Sequence, residues 1–95
     1  MATVVGLLEV DLLVPDCRSL KEKRMVLKSM KDRLHNHFNI SVSEVDHQDV
    51  WQRVKLAISM AGSDQRTVNS SLDSVVDFLE KNHSTQMVDY QLSFL

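Results

Sequence analysis

Glycine and proline, which punctuate most chains, number only two and one among these 95 residues. Gly6 and Gly62 lie far apart, so no glycine-rich loop is available to cradle the phosphates of a nucleotide. The one cysteine, Cys17, excludes an internal disulfide and gives no reason to expect an oxidising compartment. No apolar leader opens the sequence, and uninterrupted apolar runs stay at a few residues against about 20 for a spanning helix. The expectation is a cytoplasmic protein without membrane contact. Its length suits a single domain over 1–95, large enough to fold without covalent staples.

Charge is plentiful but unevenly placed. The formal net charge is −2, yet Arg18 to His35 holds seven basic and two acidic residues. That segment carries +5 and the remainder −7, an asymmetry that can mark a contact surface.

Hydropathy alternates with period two from Thr3 to Val14, where Val4, Gly6, Leu8, Val10 and Leu12 share one side. Pro15 cannot join a ladder and ends this first strand. Ser19 and Glu22 have capping-box spacing, which starts a helix at about Leu20. Leu20, Leu27, Met30, Leu34 and Phe38 then fall in one arc at about 100° per residue, an apolar stripe destined for a sheet. Phe38, Ile40 and Val42 open a second strand, and Asp46-His47-Gln48-Asp49 connects it to a third beginning near Val50. In the third strand Val54, Leu56, Ile58 and Met60 share a face, with Trp51, Arg53, Lys55 and Ala57 on the other. Ser63 or Asp64 caps a second helix bearing Val68, Leu72, Val75, Val76 and Leu79, which ends in the segment Asn82 to Thr85. Val88, Tyr90, Leu92 and Phe94 mark the inner side of a fourth strand.

This β-α-β-β-α-β order predicts an α+β, ferredoxin-like domain whose right-handed crossovers set both helices on one face of a four-stranded antiparallel or mixed sheet. The standard strand order 4-1-3-2 is read as making the first and third strands central and parallel. Glu9 and Asp11 would then sit beside Arg53 and Lys55 on the open face.

Three segments, Ser19-Leu20-Lys21-Glu22-Lys23-Arg24, Phe38-Asn39-Ile40-Ser41-Val42-Ser43-Glu44-Val45 and Gln48-Asp49-Val50-Trp51-Gln52-Arg53, resemble the YlxP-like family of small bacterial proteins, a domain of unknown function. The likeness covers about residues 3–80. It implies the same ferredoxin-like fold and a gene often beside those of translation initiation factor two and ribosome-binding factor A. The family supplies no catalytic or binding residues to transfer. Lys55-Leu56-Ala57-Ile58 stands where a more glycine-containing run is usual.

The first candidate site is the basic row Lys21, Arg24, Lys28, Lys31 and His35, confined by its spacing to an arc of about 80°. At 1.5 Å rise it spans about 20 Å, enough to follow several phosphates. The same pattern also suits a solvated helix face whose lysine stems cover the core's edge. The second is the open sheet face, with Val5, Leu7, Leu13, Trp51, Arg53, Lys55 and Ala57, which invites cover by a second copy or another protein. Base stacking on Trp51 is disfavoured because the first strand adds carboxylates and no aromatic.

No catalytic, cofactor or metal site is expected. Asp46, His47 and Asp49 lie in a turn without a pocket, and His35 and His37 point to different helix faces. Cys17 has no histidine or second cysteine near it in sequence, and Ser19 is read as a cap. Two readings follow: a non-catalytic accessory protein meeting ribosomal RNA or a translation factor through the first helix, or a homodimeric interaction domain using the open sheet. Neither involves a cofactor or small-molecule substrate.

Overall fold

A computed structural model describes residues 2–95. The elements run β1 (Val4–Leu13), α1 (Leu20–His37), β2 (Ser41–Asp46), β3 (Arg53–Gly62), α2 (Gln65–Glu80) and β4 (Gln86–Phe94). The sheet order is β2-β3-β1-β4, and every neighbouring pair is antiparallel. The fold is therefore ferredoxin-like α+β, with one correction: β1 and β3 are central but antiparallel. The reason is topological. The β1-α1-β2 crossover leaves a vacant place between two parallel strands, and the β2-β3 hairpin turns the chain back into it.

Both helices bury their stripes on the same side of the sheet. Leu8, Val10 and Leu12 of β1 and Val54, Leu56 and Ile58 of β3 meet Leu27, Met30 and Leu34 of α1 and the α2 residues Val68, Leu72, Val75, Val76 and Leu79 in one core. Gly6 belongs to this side because α2 passes close over it. A Cβ there would meet Leu72 Cδ1 and Val68 Cγ1 at 2.7 Å.

The helix ends follow their capping residues. Ser19 is extended and its hydroxyl accepts from the Glu22 amide at 3.1 Å, while Glu22 Oε2 accepts from the Arg18 amide at 2.8 Å. Asp64 caps α2, accepting from Thr67 Oγ1 at 2.8 Å and from the Arg66 amide at 3.4 Å. These bonds, the Thr67 hydroxyl foremost, hold the Asp64 carboxyl below its ordinary range. Beyond α2, buried Asn82 donates to Thr85 Oγ1 at 3.1 Å and accepts from Arg33 Nη2 at 2.9 Å, tying the end of α2 to α1.

Three local expectations shift. Phe38 is the C-cap of α1, so β2 starts at Ser41. Val50 and Trp51 belong to the β2–β3 connection, and β3 starts at Arg53. In β4, Leu92 and Phe94 lean on the core, but Val88 and Tyr90 are exposed. A register shift puts Met87 opposite Leu12 in place of Val88. Tyr90, although opposite Val10, lies on an edge strand.

Candidate polyanion-binding groove

The exposed side of α1 carries the basic row. Lys21, Arg24, Lys28 and His35 are exposed and Lys31 is half-buried. Lys28 Nζ lies 3.0 Å from Asp32 Oδ2, an i,i+4 pair with both side chains more than half exposed. Such a pair is worth only a few tenths of a kcal/mol, about 0.3–0.5. Among the described residues no acidic group pairs with Lys21, Arg24 or Lys31.

Four of the five row residues, Arg24, Lys28, Lys31 and His35, line one groove together with Leu27, Asp32 and Glu44 of β2. Its volume is about 340 Å³. Lys21 lies outside it.

Glu44 arrives there through a partner the sequence reading did not single out. Lys23 sits in the spacing of the apolar stripe, three residues after Leu20 and four before Leu27, and is only 1% exposed. Its stem packs as a core side chain. Its ammonium donates to the carbonyls of His47 at 2.5 Å and Val50 at 2.7 Å, and lies 2.8 Å from Glu44 Oε2. One cation thus clamps α1, β2 and the β2–β3 connection together. His47 has a left-handed backbone, φ 62°, which a non-glycine residue adopts at a cost. Lys23 and the Val50 amide, 3.0 Å away, both claim its carbonyl, and Asp46 Oδ1 accepts from its amide at 2.8 Å.

The second candidate surface is the sheet's uncovered side. Val5, Leu7, Leu13, Lys55 and Ala57 are half-buried, Arg53 is exposed, and Trp51 is 52% exposed in the bend before β3. The register places Asp11 opposite Lys55, Glu9 opposite Ala57 and Arg53 opposite Leu13, so only one of the expected charge pairs is directly opposed. Asp46 also lies opposite Lys55, and Asp89 lies opposite Asp11. Across four strands this row reads Asp46, Lys55, Asp11, Asp89, a net negative line. No ion pair within 4.0 Å forms along it among the described residues. The sequence alone did not reveal Asp46 and Asp89, because strand register brings them together.

Among the described residues no group of three His, Cys, Asp or Glu side chains is arranged to hold a metal ion, and no helix is long and apolar enough to cross a membrane. Cys17 is buried, its Sγ 3.2 Å from the Ser19 carbonyl it donates to.

Two known proteins and one family model are similar to this chain. The de novo designed protein Foldit4 superposes with a TM-score of 0.57 over 99% of this chain and 97% of its own, at 10% identity, a likeness of fold alone. The uncharacterized protein YlxP of Bacillus subtilis (strain 168) is 38% identical over 77 residues, covering 81% of this chain and 84% of that protein. Residues 5–92 match the model of a protein family of unknown function, DUF503, and this chain belongs to that family.

Proposed function

We propose that this protein is a non-catalytic, cytoplasmic accessory factor that meets ribosomal RNA through the cationic face of α1. The observation that carries the reading is the row Lys21, Arg24, Lys28 and Lys31. Its charges are gathered on one helix face, and only Lys28 has an acidic partner among the described residues. A purely solvated face gains nothing from such one-sided charge, whereas a phosphate backbone supplies matching anions and releases counterions on contact. The gene neighbourhood implied by the YlxP-like resemblance points the same way. Co-sedimentation with ribosomal particles at about 50 mM and about 500 mM salt tests the reading, because polyanion contacts are strongest at low salt. Binding at the lower concentration that is lost at the higher supports it, and free protein at both rejects it. Capture of a translation factor with RNA removed would transfer the same surface to an acidic protein.

A second reading, a homodimer through the open sheet, draws on exposed Trp51 and the half-buried Val5, Leu7, Leu13 and Ala57. Its salt response is opposite. Glu9, Asp11, Asp46 and Asp89 outnumber Arg53 and Lys55, so two such faces repel and their association strengthens as salt screens the charge. Sedimentation velocity that shows a monomer at all salt concentrations eliminates the dimer. Trp51→Ala weakens any dimer built there.

A further inference from the structure

We infer that Glu44 accepts a hydrogen bond from a ribose 2′-hydroxyl, so that the α1–β2 groove takes RNA in preference to DNA; this rests on the RNA reading above. Glu44 stands opposite Leu56, on the helix side of β2, and its side chain keeps 17% of its exposure. It borders the groove that Arg24, Lys28, Lys31 and His35 line. Lys23 holds the buried Oε2 from behind at 2.8 Å, and among the described residues no donor bonds the other carboxylate oxygen, Oε1. The groove therefore presents cations along its helix side, with Asp32 engaged by Lys28 among them, and an anchored acceptor at its strand side.

A phosphate held by those cations cannot also approach Glu44, because both are anionic. The group facing the carboxylate must be neutral and must donate. Along a nucleic-acid backbone the donor that recurs beside every phosphate is the 2′-hydroxyl, and DNA lacks it. Base donors fit this groove less well. No Phe, Tyr or Trp lines it, so only the exposed His35 ring and the Arg24 guanidinium offer a base a stacking surface, and about 340 Å³ is at the small end of ligand-sized hollows.

The test compares three oligonucleotides of one sequence on the unaltered protein: RNA, 2′-O-methyl RNA, which keeps the sugar pucker but loses the donor, and DNA. Fluorescence anisotropy at about 50 mM salt gives the three affinities. The expected result is RNA bound about tenfold more tightly than either analogue, the size of one hydrogen bond to a charged group. Equal affinity for RNA and 2′-O-methyl RNA overturns the inference while leaving the RNA reading intact. No binding of any of the three overturns both. Glu44→Leu, checked for its fold by circular dichroism, should bind RNA and DNA alike, and discrimination that survives in the folded variant takes the role away from Glu44. Should that variant not fold, the comparison on the unaltered protein decides alone.

Discussion

Replacing Lys23 by Ala is the perturbation from which the structure predicts the largest local effect. The substitution removes a core-filling stem, two charge-assisted hydrogen bonds to the His47 and Val50 carbonyls, and the cation beside Glu44. Removing one partner of a buried ion pair costs about 3–5 kcal/mol when the other cannot rehydrate. Glu44 keeps 17% exposure and regains some water, which argues for the low end, about 3 kcal/mol. A domain of this size has about 5–15 kcal/mol in total, so K23A stands near the edge of folding. The assay is urea unfolding followed by Trp51 fluorescence and far-ultraviolet circular dichroism. With a slope of about 1.5 kcal/mol/M, the midpoint falls by roughly 2 M. Lys23→Met, which restores the stem but not the donor, should recover only part of the loss. A K23A cost below about 1 kcal/mol, or full recovery in K23M, refutes the clamp and reduces Lys23 to a packing residue.

Other outcomes follow from single contacts. Gly6→Ala drives a methyl to 2.7 Å from the buried Leu72 and the stiff Val68, and should cost about 1–3 kcal/mol in the same titration. Asp64 has its carboxyl held below the ordinary value by Thr67 and the Arg66 amide, so its stabilising effect is present above the unfolded-state value and lost as pH falls through the lower, folded one. Asp64→Asn should therefore flatten acid destabilisation below about pH 4, seen as a smaller change in thermal midpoint between pH 5 and pH 3. Arg24→Glu with Lys31→Glu leaves the fold intact, because neither residue is in the core, and should abolish RNA binding at about 50 mM salt.

Much of the fold is readable from hydropathy alone, because a two-layer domain forces period two on its strands and a single stripe on each helix. Leu8, Val10 and Leu12 are core residues for the same reason that they alternate with Leu7, Glu9 and Asp11. Relative strand direction is different. Periodicity does not encode it: β1 and β3 are antiparallel because the β2–β3 hairpin reverses the chain. Lys23 escapes a hydropathy reading because a lysine reads as solvent-seeking, although its spacing puts it among Leu20, Leu27 and Met30. Glu44 shares a side with Val42, yet only the clamp shows why a carboxylate belongs there. Alternation alone points Tyr90 and Val88 inward, because it ignores bulges and edge strands.

The most direct measurement of the central claim is the dependence of RNA affinity on salt. Four cations on α1, Lys21, Arg24, Lys28 and Lys31, should give a plot of log K against log salt with a slope of about −3.6 on a duplex, or about −2.8 on a single strand, if all four engage phosphate. A slope near zero, or no complex at about 50 mM salt, contradicts the claim that this helix face meets RNA.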